Sequence, residues 1–286
     1  LGLDDTVTDQ PLEVRDGPGA GGKWIANYDG RFKGPLAARQ ALAESRNTVA
    51  VWIALDVGMD EVIRVARELG IRSPLGRYPS TALGAAEVAL LELAGAYRAM
   101  ASGVVAEPHV LERVTASSGL VLYQAEGRTG TLDRRGLRQI QEGLRGVVRL
   151  PGGTARSLAR AGFPIPVMGK TGTTNDFRDA LFVGSTYGPE GITVAVRIGF
   201  DDNRTLGSGE TGGRTALPVF RDIVLRVYQD RLVGPVPRFP NEVEEGIDAY
   251  LTGALEAALD AAGSPALPPL RPGAGPPRPP TVPRRE

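Results

Sequence analysis

The sequence predicts a mixed α/β (α+β) fold, and three observations carry that prediction. Two strand-like runs, 166–173 and 179–186, are joined by a short polar turn. Ile192, Val194, Val196, Ile198 and Phe200 alternate along a third run with one apolar face. Around these strands, apolar residues recur at helical spacing, as in Leu137, Ile140, Leu144, Val147 and Val148.

Taken in order, residues 1–34 are rich in Gly and Asp and read as loop with short extended pieces. Pro35 stands where a helix is expected to start, running through Leu36, Ala37, Ala41 and Leu42 to Glu44. Ser45-Arg46-Asn47 interrupts it, and 48–57 resumes as apolar helix. A helix over 60–69 follows, with Asp60 as N-cap, Val62, Val65, Ala66 and Leu69 on one face, and Gly70 past its end. The Ala- and Leu-rich stretch 82–101 predicts a buried scaffold helix, 110–123 a hairpin around Ser117-Ser118-Gly119, and 133–149 a helix. A Gly-rich turn at 207–213 leads into a closing helix with Pro218 in its first turn and Leu217, Phe220, Ile223, Val224 and Val227 on one side.

After Val233 the composition changes. Gly234-Pro235-Val236-Pro237 reads as a linker and 242–262 as an isolated amphipathic helix. From Ser264 onward 9 of 23 residues are Pro, too many for a packed core, so the tail is expected to be disordered or polyproline-like. The expected division is 1–233 as the main domain and 234–286 as linker and tail.

Composition excludes several functions. The 33 basic and 33 acidic residues balance, so nothing points to nucleic acid or an anionic membrane. With no Cys and one His, His109, there is no thiol nucleophile, zinc-thiolate site, His-cluster metal site or Ser-His-Asp triad built on a second His. No apolar run is long enough to span a bilayer. Neither a metal nor a cofactor is expected. The cluster Asp201-Asp202-Asn203 reads as a strand-end turn.

The chemistry concentrates at Lys170-Thr171-Gly172-Thr173. A cation, two hydroxyls and an unbranched residue meet at a strand edge, which suits holding a carboxylate and offering a backbone N–H to a reacting carbonyl. A P-loop is excluded, because its spacing needs Gly where this chain has Pro164, and because a strand rather than a helix follows. Gly207-x-Gly209-x-x-Gly212 matches a dinucleotide fingerprint literally, but Asp201 to Leu206 separate it from the strand and no second parallel strand follows its helix. Ser45 and Asn47 alone read as a cap and a turn. Together with Lys170-Thr171-Gly172 they form two of three motifs of a known set, whose third member is S-x-x-K.

In these blocks the chain resembles the transpeptidase domain of a class A (bifunctional) penicillin-binding protein. The blocks are Asn27-Tyr28-Asp29-Gly30 through to Ser45-Arg46-Asn47, Ser80 to Tyr97, Gly169 to Gly184, and Glu210 to Pro218. They span roughly residues 1–232. The resemblance implies a penicillin-binding/β-lactamase-like transpeptidase fold, an antiparallel sheet flanked by helices. It implies serine-type acyl transfer that cross-links peptidoglycan stem peptides ending in D-Ala-D-Ala, inhibited by β-lactams. Catalytic roles would fall to Ser45, Asn47 and Lys170. Thr171, Gly172 and Thr173 would bind substrate, and the Thr173 backbone N–H would serve the oxyanion. Gly172 is expected to spare the substrate a clash along the strand.

No Ser in the 286 residues is followed three positions on by Lys, so the family's nucleophile motif is absent from this sequence. Together with the non-Met start, that leads to the expectation of a fold incomplete at its N-terminus, inactive by itself and carrying an exposed sheet edge. A membrane anchor and a glycosyltransferase domain would lie upstream, and the setting would be the bacterial periplasm or the outer face of the cytoplasmic membrane. A β-lactamase or D,D-carboxypeptidase relative, or a non-catalytic scaffold, are the alternatives.

Overall fold

A computed structural model describes residues 1–15, 21–125 and 128–263. The described residues divide into two units, Leu1–Asp248 and a second that begins at Ala249. Short strands open the chain: β1 (Thr6–Asp9), β2 (Leu12–Arg15), β3 (Gly22–Ile25) and β4 (Gly34–Ala37). β1 pairs with β4 and β2 with β3, all antiparallel. Pro35 therefore lies in a strand, opposite Thr8, and not at a helix start. Pairing with β1 overrides the local preference for Pro at a first turn, and a two-stranded ladder tolerates Pro at its edge.

The helices α1 (Ala38–Ala43), α2 (Asn47–Val57) and α3 (Met59–Glu68) follow. α3 is capped by Gly58 at φ 94°, and Asp60 sits inside its first turn instead of capping it. An acidic residue there complements the helix dipole. The expected long helix over 82–101 is divided. A 3-10 turn, Pro79–Leu83, ends at Gly84 with φ 83°, and only Leu90–Ser102 forms the helix α4. The left-handed Gly and the Ala89 N–H bonded to Ser73 Oγ (3.2 Å) break what the Ala-rich composition suggests. β5 (Val104–Ala106) pairs with β8 (Arg128–Thr131), and β6 (Arg113–Thr115) with β7 (Val121–Gln124) in the expected hairpin.

α5 (Arg134–Arg149) starts at Asp133, whose carboxylate accepts the Gly136 N–H at 2.8 Å. The short α6 (Ser157–Arg160) leads into the central sheet of β9 (Met168–Thr173), β10 (Asp179–Ser185) and β11 (Thr193–Gly199). The sheet is antiparallel with β10 in the middle. Alternation sends Ala180 and Phe182 to one face, where Val147, Val148, Leu158, Phe220 and Val224 bury them. Phe182 and Phe220, the latter from α7 (Leu217–Gln229), meet edge to face with centroids 4.7 Å apart. Leu181 and Val183 point to the opposite face, towards α2 and α4. Helices thus flank both faces of an antiparallel sheet, as the predicted α/β (α+β) class requires. β9 and β11 each keep one edge without a strand partner among the described residues.

α8 (Asn241–Gly263) is not isolated where it begins. Val243 and Ile247 are buried, and Glu244 pairs with Arg145 and Arg149 of α5. The Pro-rich segment 264–286 lies outside the described residues.

Candidate active site

The site begins where α1 ends. Arg46 N–H bonds the Ala41 carbonyl (2.9 Å) and Ser45 N–H the Leu42 carbonyl (3.1 Å), the paired bonds of a Schellman cap. Ser45 occupies the left-handed position of that cap at φ 58°, a place usually held by Gly. The cap turns the chain and sets Ser45 Oγ towards β9.

Arg46 points the other way, into the interior. Its Nε donates to Asp9 at 2.8 Å, its Nη1 to Asp29 at 3.0 Å, and its Nη2 to the Arg31 carbonyl. Asp9 has no exposed surface and also accepts from Thr48 Oγ1 (2.5 Å), Asn27 Nδ2 (2.7 Å) and the Lys33 N–H (3.0 Å). Burial alone would raise the Asp9 carboxyl. The bonds from Thr48, Asn27, Lys33 and Arg46 outweigh it and hold the group below the usual carboxylate range. Sequence reasoning left Arg46 unassigned between Ser45 and Asn47. Asn47 opens α2, and its Nδ2 donates to the Ala26 carbonyl at 2.9 Å.

Across from this wall runs β9. Lys170 Nζ donates to Ser45 Oγ at 2.7 Å and reaches the Thr171 carbonyl at 3.2 Å. Burial pushes its ammonium down from 10.5 to about 8. Thr171 Oγ1 donates to Thr154 Oγ1 at 2.8 Å, and Thr173 Oγ1 accepts the Gly212 N–H at 3.1 Å. Thr174 N–H bonds the Asp179 carbonyl at 3.1 Å. By the alternation of an antiparallel ladder, the Thr173 N–H is therefore directed away from β10, off the open edge of β9.

Gly172 has a packing reason beyond the one expected. A Cβ there would come within 3.2 Å of Leu181, its partner on β10. Gly212, part of the apparent dinucleotide fingerprint, is tighter still: a Cβ would lie 2.1 Å from the Leu181 carbonyl oxygen and 2.5 Å from that of Gly172. It serves close backbone packing on β9 and β10.

Ser45, Asn47, Lys170, Thr171 and Gly172 line a common groove of ≈ 520 Å³. Thr173 continues the same strand, exposed at its end. Beneath the polar rim the groove is apolar, lined by Leu42, Val49, Leu93 and Leu181 among others. A larger hollow of ≈ 600 Å³ lies on the opposite face of α4. Its charged groups are already engaged: Arg72 with Glu107, Glu68 with Arg64, and Glu92 with Ser73. Among the described residues no group of His, Cys, Asp and Glu is arranged to hold a metal.

The family model for the penicillin binding protein transpeptidase domain matches residues 1–225. Penicillin-binding protein 1A of Rickettsia bellii (strain RML369-C) is 32% identical over 90% of this chain and 34% of its own length. The corresponding protein of Neisseria flavescens is 33% identical, with coverage of 90% and 33%. The chain thus spans about a third of the length of these curated relatives. Among solved structures, penicillin-binding protein 1A from Haemophilus influenzae superposes with a TM-score of 0.71 at 25% identity, covering 84% of this chain and 41% of that one. PonA1 from Mycobacterium tuberculosis gives 0.63 at 25% identity, covering 84% and 66%.

Proposed function

We propose that this chain, which belongs to the penicillin-binding protein transpeptidase domain family, supplies the substrate-gripping part of a serine-type peptidoglycan D,D-transpeptidase. The contact between Lys170 Nζ and Ser45 Oγ, at the rim of a groove bounded by an open strand edge, is the observation that supports this most.

The reaction is acyl transfer. A serine attacks the carbonyl between the last two residues of a stem peptide ending in D-Ala-D-Ala. D-alanine leaves, and an amine of a neighbouring stem peptide takes the acyl group. Lys170 supplies positive potential for the terminal carboxylate, and the Thr171 and Thr173 hydroxyls bind it. Ser45 relays a proton towards the leaving amine, its hydroxyl already sharing a hydrogen bond with Lys170. Asn47 holds the substrate amide or the lysine of the S-x-x-K motif. The outward Thr173 N–H is one oxyanion donor, and losing such a donor costs on the order of 3 kcal/mol of transition-state stabilisation. β-Lactams occupy the same groove as donor mimics. No cofactor takes part.

The reaction takes place outside the cytoplasm of a bacterium, in the periplasm or on the outer face of the cytoplasmic membrane. No helix among the described residues is long and apolar enough to cross a membrane; attachment would come from a segment upstream.

The 286 residues contain no Ser with Lys three positions on. Fluorescent penicillin therefore leaves the 286-residue polypeptide unlabelled and labels a longer polypeptide in which a segment carrying the S-x-x-K motif precedes Leu1. Labelling of the short polypeptide would reveal a nucleophile outside this scheme. Failure of the longer product to label would favour a non-catalytic scaffold. Rapid hydrolysis of the bound penicillin would favour a β-lactamase relative, and release of D-alanine with the acyl group passed to water a D,D-carboxypeptidase relative.

A further inference from the structure

We propose that Tyr28 and Phe177 form an aromatic clamp beyond the Thr173 end of β9 that selects the acyl portion of the substrate. The inference rests on the acyl-transfer reading above and adds a specificity determinant to it. Phe177 lies four residues past Thr173, in the loop that follows β9. Tyr28 lies two residues past Ala26, whose carbonyl accepts the Asn47 amide at 2.9 Å. One ring thus belongs to the Lys170–Thr173 wall and the other to the Ser45–Asn47 wall. They meet edge to face, with centroids 6.2 Å apart and planes at 83°.

Both rings are held in place, and that of Phe177 at a cost. Tyr28 sits in a turn closed by the Gly30 N–H on the Asn27 carbonyl at 2.9 Å. Its neighbours are tied down: Asn27 to Asp9 at 2.7 Å, and Asp29 to Arg46 at 3.0 Å. Tyr28 itself is 70% exposed. On the other wall, Asp176 and Phe177 adopt φ 59° and 54°, a left-handed pair that L side chains avoid. Phe177 N–H bonds the Thr174 carbonyl at 3.2 Å, and its own carbonyl accepts the Leu206 N–H at 2.7 Å, which fixes the strained loop. Two successive non-glycine residues in this region point to a functional demand on where the ring stands.

The direction of the substrate supplies that demand. With its carboxylate at Lys170 and Thr171 and its reacting carbonyl at the Thr173 N–H, the acyl side continues past Thr173. At about 3.3 Å per residue, the group one or two residues beyond the reacting carbonyl arrives at the rings. An edge-to-face pair offers apolar surface to methylenes or an aryl group.

The test uses the same longer polypeptide, with an S-x-x-K segment ahead of Leu1, and two probes. Benzylpenicillin carries an aryl group on its acyl side; the bare aminopenicillanic acid nucleus carries none. The ratio of their acylation rates is read for wild type, Tyr28→Ala, Phe177→Ala and Tyr28→Phe. Both Ala variants lower the preference for benzylpenicillin by about 3- to 10-fold, Tyr28→Phe keeps it, and rates with the bare nucleus stay within about twofold of wild type. Phe177→Gly, which suits the left-handed backbone, gives the same loss if Phe177→Ala folds poorly. An unchanged ratio in Tyr28→Ala with acylation intact overturns the clamp alone. No acylation of wild type by either probe overturns the acyl-transfer reading, and the clamp with it.

Discussion

Lys170 on β9 donates to Ser45 at the C-terminal cap of α1, a 2.7 Å bond between residues 125 positions apart. Neither partner sits where its chemistry is easiest. The ammonium is buried enough to be pushed down to about 8, and the serine occupies a backbone position suited to glycine. Both costs fall on the same groove, which is the pattern of a functional site.

The first consequence concerns pH. The unfolded chain holds the lysine proton up to its ordinary 10.5, whereas the folded chain releases it near 8. Between those values the unfolded state binds more protons, so the native state gains stability as pH rises through that window. Lys170→Met lacks this gain. Its stability relative to wild type therefore falls from about 8 towards 10.5, as urea denaturation will read. A pH-independent difference would contradict the burial of this ammonium. Carboxylate binding in the groove should weaken over the same rise, as the positive charge is lost.

A second expectation isolates the strain at Ser45. Ser45→Gly and Ser45→Ala both remove the hydroxyl that Lys170 bonds, so they differ mainly in backbone tolerance. The Gly variant should be the more stable by about 1 kcal/mol, because Cβ is penalised in the left-handed cap. Thermal melts of the two, measured side by side, decide it. Equal stability would mean that the cap relaxes to accommodate Ala.

The Arg46 network gives a third. Asp9→Ala leaves a buried guanidinium short of its main partner, which should cost about 3–5 kcal/mol. Asp29→Ala removes a partner that is 41% exposed, and should cost less than about 1 kcal/mol. Denaturant midpoints for the two variants test the asymmetry. Similar losses would contradict the assignment of Asp9 as the anchor of the Ser45–Asn47 corner.

Much of this molecule can be read before folding it. β9 and β10 declare themselves as strand-like runs around a polar turn, β11 by alternation, and α5 by its apolar spacing. Lys170, Ser45 and Asn47 are legible as motif members whose meaning comes from occurring together. What escapes a linear reading depends on partners far along the chain. Pro35 enters a strand because β1 is there to pair with it. Arg46 is the unspecified middle of its motif until Asp9, 37 residues away, is seen beneath it. Thr154 gives no signal at all, being one Thr after two glycines, yet its hydroxyl receives that of Thr171. Gly212 looks like part of a phosphate loop until the carbonyls of Gly172 and Leu181 are found against it.

The most direct measurement is a double-mutant cycle on the Ser45–Lys170 pair, in a longer polypeptide with an S-x-x-K segment ahead of Leu1, read as the rate of acylation by fluorescent penicillin. If the two act as one unit, Ser45→Ala and Lys170→Ala each slow acylation by about 100-fold or more, and the double variant is scarcely slower than the worse single one. Rates that stay near wild type in Lys170→Ala, or losses that simply multiply, would contradict the account.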